Sequence, residues 1–366
     1  MKENKVLFLI NYPKGYVLSA RAMYFAKALG RDFKYQLIYR NNSWTKNFFK
    51  NIKAIHNFKP SLIYTMEGFS TEIPAYLYSL FFNIPYIIDR ANTAEDHFRE
   101  IGSSLILIKL ITFFERKLLK NAKAIICRGK NQTLVFRARF YNKNIYHCSE
   151  GTDLDKWYPK KSLSLKKKYN SSNSLTFGTI GNATWNINDH FFGRETVEIL
   201  RLLPNLNIKG IILPSATSNI TALKELESLA KKYNVFDKLL IIKNIPREKV
   251  SNYLGIIDVC ISTQLKTLSG EMRTTAKLPD YMACGKYILC NDIGDACFYL
   301  PSEMLVDANK NYYESLSKKI VSIYKNRKIL KKGINNIKTA EKYFNYRKIA
   351  ISASKIIKGV IDESNS

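Results

Sequence analysis

Short apolar runs alternate along the chain with longer segments whose apolar residues recur at helical spacing. The first run, 5–10, is continuous and apolar, as expected for a strand that is buried on both faces of a sheet. Comparable runs predict further strands at 35–39, 62–65, 85–89, 124–127, 144–148, 175–180, 208–213, 239–242, 259–262 and 287–290. Strands that alternate with helices over this length indicate parallel sheets covered by helices on both faces.

A polar segment rich in Lys and Ser, 159–173, separates two stretches of this alternation. At roughly 100–200 residues per domain, a chain of 366 residues is long enough for two domains. We therefore predict an α/β protein with two successive Rossmann-like βαβ domains, 1–157 and 158–345, joined at the polar segment.

The most apolar segment, 103–114, reads SSLILIKLITFF and is too short for a bilayer span of about 20 residues. Lys109 interrupts this segment, and Lys117, Lys120 and Lys123 follow it, which is compatible with contact along a membrane surface. Short apolar runs more often form helices that are buried in a domain core, and this is the interpretation we favour. The start of the chain has no basic region or cleavage site, and predicts a first strand rather than a signal peptide.

Composition narrows the class of protein. The hydrophobic fraction of 46% and the mean hydropathy of −0.21 are typical of a soluble globular protein, which excludes a disordered or collagen-like chain. The six cysteines form no CxxC pair, and most of them lie in or beside apolar runs. We expect reduced thiols and a cytoplasmic protein.

The segment 270–294 reads GEMRTTAKLPDYMACGKYILCNDIG and carries the clearest chemical signal. A helix is predicted to begin after Thr274 or Thr275, with Pro279 in its first turn, and to end at the left-handed cap Gly285.

The predicted start of that helix offers free N–H groups and a hydroxyl cap, with Arg273 and Lys277 beside it. This is an anion site suited to a pyrophosphate. Asp280, about one turn further on, could accept hydrogen bonds from a ribose diol. An ordinary capped helix with a surface carboxylate explains these residues equally well.

Residues 280–289, with DYMACGK followed by Ile288 and Leu289, resemble the "E-A/Y-M-A-C-G-K-P-V-I" segment of family 4 glycosyltransferases, which have the GT-B fold. Segments 114–127, 150–159 and 239–261 resemble other parts of that family in the same order. The resemblance implies two Rossmann-like domains that face each other across a cleft. It further implies that the first domain binds the acceptor, the second binds the nucleotide sugar, and the last helix, 346–366, returns to the first domain.

The resemblance also implies site residues. On the donor side they are Asp280 for the ribose, Thr274 and Thr275 for the diphosphate, Ile245 for the base, and Gly181 with Asn182 after a strand. On the acceptor side they are Gly15, Asp89 and Arg90. The first Glu of the family motif falls at Met272, so Glu271 is one position away, and Arg273 and Lys277 replace the family's phosphate cations. Glu271, Arg273 and Lys277 are the expected catalytic residues.

The family retains the anomeric configuration and uses no bound metal. The four His of the sequence are scattered without the spacing of metal ligands. We expect neither a metal nor a cofactor, and cations that stabilise the leaving diphosphate.

The formal charge of +28, from 58 Lys and Arg against 30 Asp and Glu, indicates anionic surroundings. We expect a glycan or glycolipid acceptor of surface polysaccharide or lipopolysaccharide assembly, and a peripheral position on the inner face of the cell membrane. One alternative is a catalytically altered GT-B relative, such as a sugar-nucleotide epimerase or a partner subunit. A basic nucleic-acid-binding protein is another, but the sequence has no motif of that class.

Overall fold

The structure is a computed structural model that describes residues 4–16, 18–41, 43–140, 144–160, 162–169, 171–181, 192–215 and 218–365. The chain divides into two compact units. The first comprises Met1–Gly151, Thr267–Thr274 and Phe344–Ser366, and the second comprises Thr152–Lys266 and Thr275–Tyr343. Among the described residues, no helix combines the length and the hydrophobicity needed to cross a membrane.

Strands and helices alternate from the start of the chain. They are, in order, β1 (Asn4–Ile10), α1 (Ser19–Ala28), β2 (Phe33–Tyr39), α2 (Trp44–Phe58), β3 (Leu62–Met66), α3 (Phe69–Phe82), β4 (Tyr86–Arg90), α4 (Ala94–Glu100), α5 (Leu105–Asn121), β5 (Ala124–Cys127), α6 (Lys130–Arg139) and β6 (Ile145–His147). All of these belong to the first unit.

The alternation then resumes. The elements are α7 (Leu163–Lys168), β7 (Leu175–Gly181), α8 (Arg194–Leu202), β8 (Ile208–Pro214), α9 (Ile220–Lys232), β9 (Leu239–Ile241), α10 (Val250–Leu254), β10 (Val259–Ser262), α11 (Leu268–Glu271), α12 (Lys277–Ala283), β11 (Tyr287–Asn291), β12 (Leu305–Val306), α13 (Tyr312–Lys325), α14 (Asn336–Thr339) and α15 (Tyr346–Asn365). Of these, α11 and α15 belong to the first unit.

Within the described residues, each unit contains a six-stranded sheet in which every recorded pairing is parallel. The strand order is β2-β1-β3-β4-β5-β6 in the first unit and β12-β11-β10-β7-β8-β9 in the second. In register, Phe8 of β1 lies opposite Leu37 of β2 and Tyr64 of β3. The predicted α/β class with two parallel sheets is confirmed.

The first sheet is buried on both faces because its strands are continuously apolar. Val6, Phe8 and Ile10 of β1 pack on the face covered by α1 and α15. Leu7 and Leu9 point the other way and pack with residues from α2, α3 and α5. The helix α15 therefore completes the core of the first unit, although it lies at the far end of the sequence.

The helix α5 corrects the expectation of a fully buried apolar segment. One stripe of the helix, which includes Ile108, Ile111 and Leu118, packs inward, whereas Leu105 and Ile106 are exposed. The first three turns carry apolar residues on most of their circumference, interrupted by Lys109, but a helix lying on a sheet can bury only one side. The other apolar side chains therefore face solvent.

The packing of α15 leads to a stability prediction. Ile357 on its inner side is fully buried, whereas Ile351 on its outer side is 55% exposed. We expect Ile357→Ala to lower the free energy of unfolding by about 2–5 kcal/mol, because it leaves a cavity in the core. Ile351→Ala is the matched control and should change it by less than about 0.5 kcal/mol. Urea unfolding followed by circular dichroism measures both, and equal losses would contradict this packing.

In the second sheet, β7 approaches β8 too closely for a side chain at one position. Gly178 lies opposite Ile211, and a Cβ atom built on Gly178 would be 1.7 Å from the carbonyl oxygen of Ile211. Glycine is therefore required here by contact with the neighbouring backbone. This contact brings β8 against the strand that ends at the candidate site.

Candidate functional site

The strand order of the second unit defines where a ligand is expected. The chain leaves β7 towards β8 on one side, and later returns to form β10 on the other side of β7. Neighbouring strands whose connections leave in opposite directions form a crevice at their carboxyl ends, and open α/β sheets bind ligands there. The residues that follow β7 and β10 therefore form the candidate site of this unit.

Lys277, the first residue of α12, lies beside the end of β7. Its ammonium is 3.4 Å from the hydroxyl oxygen of Thr179 and 3.9 Å from the centre of the Phe192 ring. Removal from water lowers the pKa of Lys277 to about 8, while the nearby Glu195 acts in the opposite direction. The site thus contains a partly buried cation, and within the described part of the chain no ion pair neutralises it.

Glu195 on α8 is a residue that the sequence analysis missed. Its side chain is fully buried, and neither carboxylate oxygen has a hydrogen-bond partner among the described residues. A buried carboxylate without a partner is costly, and a nearby cation reduces that cost. Glu195 therefore supports a positive charge on Lys277. The signal in the sequence is a Glu directly after Gly193-Arg194, at the start of an amphipathic helix.

The start of α12 corrects one expectation. The helix begins at Lys277 after Ala276, and no side chain caps it. The carbonyl of Thr275 accepts the hydrogen bond from the N–H of Leu278, so the backbone rather than a Thr hydroxyl closes the first turn. The helix has seven residues, and the left-handed Gly285 follows its end as predicted.

The same helix is fixed to the sheet by Tyr281, which is fully buried. Its hydroxyl accepts a hydrogen bond of 2.8 Å from the backbone N–H of Ile180 on β7. Burial raises the pKa of Tyr281 well above its ordinary value, so this hydroxyl stays protonated. Tyr281 thereby sets the position of Lys277 and Asp280 relative to the end of β7.

The other donor-side predictions fall at separate places in the second unit. The carboxylate of Asp280 accepts a hydrogen bond of 2.5 Å from the hydroxyl of Thr152. Gly181 ends β7 with a φ of 129° and lies beside Phe192. Ile245 is partly buried in the loop after β9, and Asn182 lies outside the described residues.

The remaining predicted residues of the segment 270–294 belong to the first unit. Glu271 ends α11 with an exposed side chain, and its carbonyl accepts a hydrogen bond of 3.1 Å from Asn131. Arg273 donates to the side chain of Asn92 at 2.9 Å, and Thr274 is buried. The predicted catalytic set is therefore divided between the units, with Glu271 and Arg273 in the first and Lys277 in the second.

A separate polar cluster lies in the first unit, at the carboxyl ends of its strands. Asp89 near the end of β4 is fully buried and accepts hydrogen bonds from Arg21 at 2.7 Å and Arg128 at 2.8 Å. Tyr64 donates a third, at 2.5 Å. Burial alone would raise the pKa of the Asp89 carboxyl, but the two guanidinium groups outweigh it and hold the pKa below its ordinary value.

Arg90, the neighbour of Asp89, is equally enclosed. Its guanidinium pairs with Glu72 and Glu115, and its side chain is 4% exposed. Asp89 and Arg90 therefore hold the strand ends together in this arrangement, and neither side chain is open to a ligand. Gly15 differs, since it lies in an exposed turn after β1 with a φ of 86°, and a Cβ atom built on it would meet nothing within 4 Å.

Glu67 follows β3 at the crevice of the first sheet and was also missed. Its φ of 54° is left-handed, a conformation that costs a non-glycine residue of order 1–3 kcal/mol. Its carboxylate accepts from Tyr12 and lies 3.0 Å from Arg128, while its side chain stays 24% exposed. Strained residues cluster at functional sites, which makes Glu67 a candidate on the acceptor side. The signal in the sequence is the pair Glu67-Gly68 directly after an apolar strand.

Arg128 completes this cluster from the end of β5. Its side chain is 2% exposed, and its Nη2 atom has no hydrogen-bond partner among the described residues. The same guanidinium pairs with Glu150 at 3.0 Å. The Nη2 atom is shielded from solvent, so of this pair it is the partly exposed carboxylate of Glu67 that can bind a hydroxyl group.

The described residues contain no group of three or more His, Cys, Asp or Glu side chains placed to hold a metal ion. The chain matches no protein-family model and no curated protein.

Solved structures of glycosyltransferases resemble it over nearly their full length. Sucrose-phosphate synthase of Thermosynechococcus elongatus has a TM-score of 0.78 at 15% identity, and the match covers 98% of this chain and 100% of that one. HepE of Anabaena, solved with UDP and glucose, has a TM-score of 0.77 at 14% identity, covering 97% and 100%. A glycosyltransferase of Rickettsia africae has a TM-score of 0.72 at 16% identity, covering 99% of both chains. At such identities the likeness establishes the fold, and the chain has the GT-B fold that these glycosyltransferases share.

Proposed function

We propose that the protein is a glycosyltransferase that moves a sugar from a UDP- or GDP-sugar to a saccharide or lipid-linked acceptor. We further propose that it is a family 4 enzyme of bacterial surface polysaccharide or lipopolysaccharide assembly. In this proposal it retains the anomeric configuration, needs no metal, and works at the cytoplasmic face of the cell membrane.

One observation carries the proposal. Lys277 places a partly buried ammonium at the carboxyl end of β7, in the crevice of the second sheet. A fold so similar to that of HepE, which is solved with UDP and glucose, makes a nucleoside diphosphate the natural anion for this cation. A diphosphate also suits a site with reduced access to water, where charge interactions are strong.

In the proposed reaction the bond between the anomeric carbon and the β-phosphate oxygen breaks, and the nucleoside diphosphate leaves with the electron pair. The acceptor hydroxyl oxygen bonds to the anomeric carbon, and its proton passes to an oxygen of the leaving diphosphate. Lys277 would stabilise the negative charge that grows on the leaving diphosphate. Asp280 would accept hydrogen bonds from the ribose diol, in place of or together with that from Thr152.

On the acceptor side the first unit contributes Glu67 and Arg128. The partly exposed carboxylate of Glu67 can accept a hydrogen bond from an acceptor hydroxyl, and Arg128, 3.0 Å away, holds that carboxylate in place. Asp89, which also pairs with Arg21, holds Arg128 in place. The proposed donor residues in the second unit and the proposed acceptor residues in the first unit both lie at the carboxyl ends of parallel strands, where open α/β sheets bind ligands.

Thermal unfolding in the presence of nucleotides tests the proposal. At about 100 times its Kd, a ligand stabilises the folded state by about 2.7 kcal/mol, so UDP or GDP should raise the Tm by several degrees. Uridine or guanosine, which lack phosphates, should not raise it. A panel of UDP- and GDP-sugars with saccharide acceptors should then release the corresponding diphosphate. No shift with either diphosphate and no release from any donor would overturn the proposed function.

A further inference from the structure

The helix α5 presents a row of large apolar side chains to solvent. Leu105 is 69% exposed, Ile106 82%, Leu110 52% and Phe113 55%. Ile106, Leu110 and Phe113 are spaced four and three residues apart, so they lie along one side of the helix. A continuous apolar stripe on the surface of a protein marks an interaction site.

The same side of the helix is cationic towards its end. Lys109, Arg116, Lys117 and Lys120 are all exposed, and the ammonium of Lys117 lies 4.9 Å from the centre of the Phe113 ring. The one acid in the sequence of α5, Glu115, points inward and pairs with Arg90. The exposed side of this helix therefore combines apolar groups and positive charges without a carboxylate of its own.

We propose that this α5 face docks on the surface of an anionic phospholipid bilayer. The α5 face comprises the exposed residues Leu105, Ile106, Leu107, Lys109, Leu110, Phe113, Phe114, Arg116, Lys117 and Lys120.

The combination of apolar and cationic side chains on the α5 face favours an anionic membrane as its partner. A helix of this kind lies in the plane of the membrane with its apolar side chains about 5–10 Å deep, at the boundary of headgroups and acyl chains. The ammonium groups of Lys109, Lys117 and Lys120 reach the lipid phosphates on their flexible stems. A second copy of the chain is a poorer partner, because the same face on both copies would bring like charges together.

The inference deepens the proposed function, since a lipid-linked acceptor is found at such a surface. Binding to vesicles is measured without donor or acceptor. The docking proposal can therefore fail while the transferase proposal stands, and the reverse also holds.

The test is co-sedimentation of the full chain with vesicles of phosphatidylglycerol and phosphatidylcholine, compared with phosphatidylcholine alone. We expect binding to the anionic vesicles that weakens with salt. The double variant Ile106→Asn/Phe113→Asn should weaken binding by about tenfold or more, as should Lys117→Glu/Lys120→Glu. Ile220→Asn on α9 is the matched control, since Ile220 is 71% exposed in the second unit, and it should bind like the unchanged chain.

Three results would overturn the proposal. One is equal binding to neutral and anionic vesicles, and another is unchanged binding of the Ile106→Asn/Phe113→Asn variant. The third is a dimer in sedimentation velocity that the same variant converts to a monomer, which would assign the α5 face to a second copy. The altered side chains are exposed, so an unchanged Tm confirms that each variant is folded.

Discussion

Asp89→Ala is expected to destabilise the first unit by about 3–5 kcal/mol. The carboxylate of Asp89 is fully buried and pairs with both Arg21 and Arg128. Its removal leaves two guanidinium groups in the interior without their shared counter-charge, and the hydroxyl of Tyr64 loses its acceptor. Urea unfolding followed by circular dichroism should show a large loss of the free energy of unfolding, or a variant too unstable to purify.

Glu227→Gln is the matched control, since it removes one carboxylate from the exposed pair of Glu227 and Lys243. Exposed pairs contribute about 0–1 kcal/mol, so this variant should unfold almost like the unchanged chain. If Asp89→Ala were as mild as Glu227→Gln, the buried network would not hold the strand ends.

The contribution of Asp89 to the free energy of unfolding should depend on pH in a defined direction. The pKa of Asp89 is lower in the folded protein than in the unfolded chain, so its contribution to stability is complete above the unfolded value of about 3.9. That contribution is lost as the pH falls through the folded pKa. The difference in stability between the unchanged chain and Asp89→Ala should therefore be constant from neutral pH to about pH 5 and shrink in stronger acid.

Lys277→Gln is expected to lower kcat/KM for the nucleotide sugar by about 10²–10³-fold. The substitution removes the cation at the carboxyl end of β7 but keeps a polar side chain of similar length. Lys243→Gln, which changes an exposed lysine of the same unit, is the control and should leave kcat/KM unchanged. Equal kinetics for the two variants would remove Lys277 from the donor site.

The lowered pKa of Lys277 also predicts how the affinity for the donor depends on pH. Because the pKa is about 8, the free protein loses the positive charge as the pH rises from 7 to 9. A bound diphosphate favours the charged form, so the affinity for the donor should fall over the same range. Lys277→Arg keeps its charge throughout and should flatten the profile. A decline of the same steepness in Lys277→Arg would place its origin elsewhere.

The strands could be predicted from the sequence because a parallel sheet buries both faces and so requires continuous apolar runs. The predicted ranges 124–127 and 259–262 coincide with β5 and β10. The edge strand β12 has two residues, and no periodicity is detectable over so short a length. The exposure of α5 could not be predicted either, because its apolar residues cover more of the helix than a single stripe and do not show which of them will meet the sheet.

The contacts among the buried charged residues could not be predicted from the sequence for a different reason. Arg21 on α1, Asp89 on β4 and Arg128 after β5 are far apart in the chain and meet only where the fold packs α1 beside the carboxyl ends of these strands. The pattern of residues along a segment predicts local structure, but it does not show which distant residues the fold will bring into contact. Lys277 could be singled out because it lies in a local segment, 270–294, that carries its own pattern. Its role at the donor stays a prediction.

A crystal structure of the protein with UDP tests the central claim most directly. We expect the diphosphate in the crevice of the second sheet, with a phosphate oxygen within about 4 Å of the Lys277 ammonium, the range of an ion pair. We also expect the ribose hydroxyls beside Asp280. A diphosphate bound away from Lys277, or a crevice filled by the protein's own side chains in the presence of saturating UDP, would contradict the account.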